Sequence, residues 1–185
     1  MFSKSDNIPY VIDKLAVISK NRGVKMKILD VGCGFGKWGF LFRGWLDGEK
    51  NGPHREEWTH TIDACEVFEP YITPIHRYLF DQIILDDFRN LFRGAGKYYT
   101  LIIMGDCLEH VTLEEGKETV KRYLDYCSHL IISVPGYRDS QREKFGNPAE
   151  QHRAWWTEKD FLEVRGDCDV KRTGKLITAH YSQNS

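Results

Sequence analysis

The sequence predicts an α/β protein built on a doubly wound, mostly parallel sheet that ends in an antiparallel pair. Three observations predict it. Short apolar runs recur between segments of helical spacing, the alternation that yields parallel strands joined by helices. The first run, Ile28, Leu29 and Val31, passes directly into Gly32, Gly34, Gly36 and Gly39. A glycine turn there lets a ligand approach main chain where a Cβ would clash. The last stretch alternates around Gly174, as a hairpin does.

In chain order, Val11, Leu15 and Ile18 repeat at helical spacing, so an N-terminal helix within residues 1–23 should cover the sheet, with Gly23 as its C-cap. After the first strand, a helix is expected from about Gly36 to Leu46, then a polar, breaker-rich loop over residues 47–57. Thr61 to Val67 reads as the second strand, and Pro70 as the start of a helix carrying Ile75 and Leu79. Ile83, Ile84 and Leu85 make a third strand running into Asp86 and Asp87. A fourth strand begins at Leu101, and residues 113–126 form an amphipathic helix with Val120, Tyr123, Leu124 and Cys127 inward. His129 to Pro135 is the fifth strand. Residues 136–151 exceed the usual length of an ordered loop, and their place after the fifth strand suggests a substrate loop over 136–156. Thr157 with Asp160 approximates a capping box for the next helix.

At 185 residues the chain is one domain's worth, with a real core. A net charge of −1 demands no polyanionic partner, although Arg138, Arg142, Lys144 and Arg153 could form a local basic patch. No apolar run is long enough to span a bilayer and no secretory signal opens the chain. The five cysteines, Cys33, Cys65, Cys107, Cys127 and Cys168, lack C-x-x-C spacing and read as free thiols of a reducing compartment. A cytoplasmic protein without a structural zinc site is the expectation.

Two cofactors compete for the glycine turn. Gly34-x-Gly36-x-x-Gly39 fits the dinucleotide pattern. Asp30 argues against it, since a carboxylate at the strand's end repels a pyrophosphate but can pair, through water, with the ammonium of an amino acid. Glu66, at the end of the second strand, can accept from both ribose hydroxyls of either cofactor and is preferred to Asp63. Its distance from the turn exceeds the roughly 20 residues typical of dinucleotide folds.

The run Asp30-Val31-Gly32-Cys33-Gly34-Phe35-Gly36 closely resembles the first motif of class I S-adenosylmethionine-dependent methyltransferases, and Leu108-Glu109-His110 resembles the fourth-strand segment of their small-molecule (type 11/12-like) group. The resemblance spans about residues 27–135. It implies a Rossmann-like, seven-stranded sheet whose last strand inserts antiparallel between the fifth and sixth. It implies S-adenosyl-L-methionine as cofactor, held by Asp30, Gly32, Gly34, Gly36, Glu66, Asp87, Phe88 and Asp106. Asp87 would accept from the adenine amino group beside Phe88, with Asp86 as rival and a helix cap as the bland alternative. Met104 to Cys107 would line the methionine portion.

S-adenosylmethionine carries its own driving force, so the protein must mainly align and desolvate the acceptor. His110 is the candidate base, by its ordinary pKa and position, against a plain helix-start histidine. The segment Gln151-His152-Arg153-Ala154-Trp155-Trp156 resembles one that related methyltransferases place over the acceptor. There His152 would orient or deprotonate it, with Trp155 or Trp156 as an apolar wall; the alternative has the tryptophans anchoring the next helix. Some relatives bind a divalent metal through an acid and Glu-His. Asp106, Glu109, His110 and His152 could imitate this, but glutamate stands where this chain has Asp106, and no metal is expected. Residues 47–57 and 136–156 should shape the acceptor site. The expected function is methyl transfer to oxygen or nitrogen of a small molecule, with no membrane partner. An RNA methyltransferase, an NAD(P)-dependent oxidoreductase and a non-catalytic binding module are the alternatives; acceptor identity and oligomeric state stay open.

Overall fold

The computed structural model describes residues 5–22, 25–48, 51–138 and 140–183. Gly23, expected as a helix cap, and Glu49 and Lys50 of the polar loop lie outside the described residues. Seven strands form one sheet: β1 (Lys27–Val31), β2 (Thr61–Glu66), β3 (Gln82–Leu85), β4 (Tyr99–Gly105), β5 (Cys127–Pro135), β6 (Asp169–Thr173) and β7 (Leu176–Ser182). Their order is β3-β2-β1-β4-β5-β7-β6. β1 to β5 run parallel, and β7 is antiparallel to both β5 and β6. The expected Rossmann-like sheet with its inserted antiparallel strand is what forms.

The central strands read as unbroken apolar runs because both faces are covered. Successive side chains alternate between faces. Ile102, Met104, Leu130 and Ile132 thus enter one apolar layer, and Leu101, Ile103 and Ile131 the other. On the second layer lie α1 (Ile8–Arg22), α2 (Lys37–Arg43) with a π turn after it (Gly44–Gly48), and α3 (Pro74–Leu79). Val11, Leu15, Ile18, Phe42, Leu46 and Leu79 are their buried contacts. On the first layer lie α4 (Leu113–Leu124) and α5 (Glu158–Val164), through Val120, Tyr123 and Phe161. Reciprocal caps start both: Glu115 N–H donates to Thr112 Oγ1 at 3.3 Å, and Thr157 N–H to Asp160 Oδ2 at 2.8 Å.

Three expectations need correction. Pro70 sits in a single 3-10 turn, and the helix starts at Pro74, because Thr73 and Pro74 supply cap and first turn together. That shift leaves Ile75 51% exposed while Leu79 is buried. Cys127 opens β5 rather than closing α4. None of the described residues between Asp47 and Glu57 lines the cavity at the sheet's ligand edge. The reason is topological: α2 carries the chain back from that edge before β2 begins. Asp47 is instead fixed beside the buried Arg43, whose guanidinium bonds Asp47 at 2.8 Å and Asp81 at 2.7 Å.

The strand order reverses between β1 and β4. In open α/β sheets, that switch point places the ligand crevice outside the strands' carboxyl ends.

Candidate active site

A cavity of about 320 Å³ lies at that position, within the range of small-molecule pockets. Every strand end from β1 to β5 contributes to it: Gly32 to Gly34, Cys65 to Val67, Asp86 to Phe88, Gly105 to Cys107, and Pro135. The glycine turn is tied down before any ligand arrives. Gly32 and Cys33 N–H groups donate to Cys65 O at 2.9 and 3.2 Å. Gly32 has φ +66°, and a Cβ there would stand 2.9 Å from Cys107 Cβ. Both conditions require glycine.

Glu66 is buried and lines the cavity. Its Oε2 accepts from Gly34 N–H at 2.9 Å and its Oε1 from Phe68 N–H at 3.0 Å. The side chain therefore straps the glycine turn to β2, while each oxygen keeps a lone pair for a further donor. Burial raises its pKa, against the two backbone donors. Asp30 and Gly36 stand behind this wall and are not among the lining residues. Asp30 is fully buried; Oδ2 accepts from Gly39 N–H at 3.3 Å and Oδ1 has no partner. Burial pushes its pKa up to about 7, against the Gly39 hydrogen bond and the Lys37 charge.

Asp86, Asp87 and Phe88 line the cavity beyond β3. The Asp87 carboxylate caps a 3-10 turn by accepting from Arg89 N–H at 2.8 Å, and pairs with the Arg89 guanidinium at 2.7 Å. That pairing holds its pKa below the usual range despite partial burial. Asp86 Oδ1 accepts from Asn90 at 2.8 Å. Phe88 is fixed through its carbonyl, which accepts from Tyr123 OH at 2.7 Å.

β4 delivers the opposite wall. Asp106 adopts φ +55°, uncommon for a residue with a side chain. Leu108–His110 then forms a 3-10 turn. Glu109 is 3% exposed, and its Oε2 has no partner. Burial, then the neighbouring Asp106 charge, raises its pKa well above the carboxylate range. The main chain of Glu109 holds the loop above it: Arg153 and Ala154 N–H groups donate to Glu109 O at 2.7 and 3.1 Å. His152 thereby faces His110, their ring centroids 5.1 Å apart. Burial lowers the pKa of His110, His152 adds to this, and the Glu150 charge opposes it. One ligand atom from each of Glu109, His110 and His152 lies within 4.8 Å of the others, a donor set able to hold a divalent ion.

The described residues between 136 and 153 form the roof. Lys144 and Asn147 bridge a tight turn with Phe145 and Gly146 at its tip, both at positive φ. Phe145 leans edge-on over Phe35 of the glycine turn, centroids 6.1 Å apart. Tyr71 OH donates to Glu150 Oε1 at 3.0 Å, and Gln141 Nε2 to Glu150 O at 2.7 Å. The aromatic lining is Phe35, Trp38, Tyr71, Phe88 and Tyr137, not the tandem tryptophans. Trp156 is buried, stacks on Phe161 at 4.9 Å and donates to Leu108 O at 3.4 Å, anchoring α5 to the core. Trp155 is 48% exposed beside Arg138. A bulky apolar ring before a capped helix is satisfied by the nearest core, which explains the difference.

The structure thus brings Gly32, Gly34, Glu66, Asp87, Phe88, Asp106, His110 and His152 to one cavity, with Asp30 and Gly36 behind it. Sequence reasoning missed Lys37, Trp38, Tyr71, Gln141, Asn147 and Glu150, all lining residues. Only Lys37 and Trp38 carried a signal, by directly following the glycines.

Residues 4–164 match the family model described as a methyltransferase domain. The chain belongs to this methyltransferase family. No curated protein matches it. Among solved structures it resembles an S-adenosylmethionine-dependent methyltransferase from Clostridium acetobutylicum ATCC 824, with TM-score 0.65 and 13% identity over 98% of this chain and 92% of that one. Magnesium protoporphyrin IX methyltransferase from Synechocystis PCC 6803 with bound S-adenosylmethionine gives 0.60 and 16%, over 96% and 81%. Burkholderia thailandensis 1,6-didemethyltoxoflavin-N1-methyltransferase, with its acceptor and S-adenosylhomocysteine bound, gives 0.60 and 17%, over 91% and 76%. The methyltransferase family and class I fold expected from the glycine motif are borne out.

Proposed function

We propose that this methyltransferase transfers the methyl group of S-adenosylmethionine to an oxygen or nitrogen of a small molecule held beneath the 136–153 roof. The observation that carries this reading is that one cavity joins the glycine turn and Glu66 to the Glu109, His110 and His152 cluster. When bound, the cofactor supplies a sulfonium-activated methyl group. Glu66 would accept from the ribose hydroxyls, Phe88 and Asp87 would border the adenine, and the Asp30 carboxylate, behind the wall, would answer the ammonium through water. The unpartnered Asp30 Oδ1 fits that demand for a cation.

On the opposite wall the chain orients the acceptor and excludes water from it. His110, kept neutral by burial, takes the acceptor's proton on a ring nitrogen, and His152 orients the acceptor. The acceptors of structural neighbours, such as magnesium protoporphyrin IX and 1,6-didemethyltoxoflavin, support a small-molecule substrate. No described helix is long and apolar enough to cross a membrane. All five cysteines are free, which supports a cytoplasmic setting.

Calorimetric titration with S-adenosylhomocysteine and, separately, NADH tests the cofactor. Binding of the first alone is expected; binding of NADH alone would make the protein an oxidoreductase, and binding of neither a non-catalytic module. The spacing of Glu109, His110 and His152 favours a second reading of the acceptor wall, in which they hold a divalent ion. A rise in melting temperature with Mn²⁺, lost in His152→Ala, would support it.

A further inference from the structure

The acceptor wall, made by the ends of β4 and β5 and by the roof, is rich in acid and poor in base. Glu109 and Glu150 both line it. Asp106 lines it too, close enough to Lys37 to act on that charge. Among the described residues Arg153 is the one lysine or arginine lining this wall, and its side chain is exposed. The buried part of the wall thus holds carboxylates without a lysine or arginine to match them.

Glu109 supplies an independent observation. It is 3% exposed, and Oε2 has no hydrogen-bond partner. One of its oxygens lies within 4.8 Å of a ring nitrogen of both His110 and His152, which line the cavity, so the carboxylate is turned toward the cavity. Gln141 repeats the pattern. It is buried, its Nε2 is committed to Glu150 O at 2.7 Å and Glu150 Oε2 at 3.3 Å, and its Oε1 is left without a donor. His152 N–H donates to Gln141 O at 3.0 Å and Arg153 N–H to Glu109 O at 2.7 Å, which ties both side chains to consecutive residues of the roof. Glu109 Oε2 and Gln141 Oε1 are both acceptors, so the group that completes this wall is a donor. A buried charge left unmatched is costly, so that donor should carry positive charge.

We infer that the methyl acceptor carries a protonated amino group, held by Glu109 as its counter-charge beside the Gln141 amide oxygen. The inference rests on the small-molecule methyl-transfer reading and adds the class of its substrate: an aliphatic amine, charged at neutral pH, whichever of its atoms takes the methyl group. An ammonium brings as many as three N–H donors, a hydroxyl brings one and a carboxylate none. A carboxylate on the acceptor would also be repelled by Glu109 and Glu150. A divalent ion would satisfy Glu109 with the two imidazoles but would leave Gln141 Oε1 unanswered. Burial of Glu109 makes a counter-charge beside it effective, because little water screens the pair.

The test is NMR titration of the full chain, saturated with S-adenosylhomocysteine and kept in EDTA, with matched probes. Benzylamine is compared with benzyl alcohol and benzoate, tryptamine with tryptophol, and cyclohexylamine with cyclohexanol. In at least one pair the amine is expected to bind about tenfold or more tighter than the alcohol, the scale of a charged hydrogen bond, with benzoate no tighter than benzyl alcohol. This comparison needs no variant, so it stands even if one folds poorly. Glu109→Gln, which keeps the shape and removes the charge, should abolish the preference while the alcohols bind as before. No preference in any pair, including no binding at all, would overturn the inference, as would tighter binding of benzoate. A preference that survives Glu109→Gln would overturn the assignment to Glu109. One that appears only when Mn²⁺ replaces EDTA would overturn it in favour of an ion at the imidazoles. Failure of S-adenosylhomocysteine to bind, read in its own titration, would instead overturn the methyl-transfer reading.

Discussion

The two walls of the cavity are made in different ways. The glycine-turn wall is built from strand ends, with residues 32–35, 65–67 and 86–88 each a short continuous segment. Its polar contacts fix main chain: Glu66 takes N–H groups from Gly34 and Phe68, and Cys65 O takes those of Gly32 and Cys33. The roof wall is a long irregular segment closed over β4 by contacts between residues distant in sequence, such as Tyr71 with Glu150 and Arg153 with Glu109. Phe145 at its tip is 67% exposed. A wall set by strand register can hold an invariant ligand such as a cofactor. A wall set by side chains on a loop can be re-cut for a different acceptor without disturbing the sheet.

If the walls divide the work in this way, substitutions on each should move different quantities. The largest effect belongs to the roof side: His110→Ala should lower kcat by about 10²–10⁴-fold toward a hydroxyl acceptor while barely altering affinity for S-adenosylhomocysteine. Single-turnover methyl transfer and calorimetry read the two separately. Because burial lowers the His110 pKa in the unliganded protein, the acid limb of kcat/KM should lie below the ordinary histidine value of about 6.5. On the other wall, Glu66→Ala should weaken S-adenosylhomocysteine about a hundredfold through lost ribose bonds. Part of that loss comes from releasing the glycine turn, which hydrogen exchange at Gly34 and Phe68 would reveal.

A residue outside both walls serves as a control. His180 on β7 stacks on His129, and burial, with nearby positive charge, lowers its pKa to about 4. The unfolded chain takes up its proton near 6.5, before the folded chain does. Stability is therefore full above that pH and falls as pH drops toward 4. Denaturant melts of His180→Gln should lose much of that slope without change in ligand affinity at neutral pH. The smallest effect is at Asp30. With a pKa of about 7 it keeps part of its proton near neutrality, and a bound ammonium should drive that proton off. Calorimetry in two buffers of different ionisation enthalpy should show fractional proton release from the unsubstituted protein and none from Asp30→Asn.

The same contrast governs what the sequence discloses. Ile28 to Gly36 encodes strand, turn and helix start locally, so Gly32 and Gly34 could be read directly, and Glu66 from the end of the run Thr61 to Val67. The strand alternation and the Gly174 hairpin were equally local. The helix at Pro74 was displaced because two prolines lie four residues apart and only Thr73 caps. Gln141, Asn147 and Glu150 were illegible because loop residues acquire a role only when the roof folds down, and no period announces it. The tandem tryptophans misled for a related reason: their bulk signals burial, but not against which surface.

The most direct test of the two-wall account is hydrogen–deuterium exchange with and without S-adenosylhomocysteine. The account predicts strong protection over residues 32–39, 65–68 and 86–90, and weaker protection of 136–153. Protection confined to the roof, or absent from the glycine turn, would contradict it.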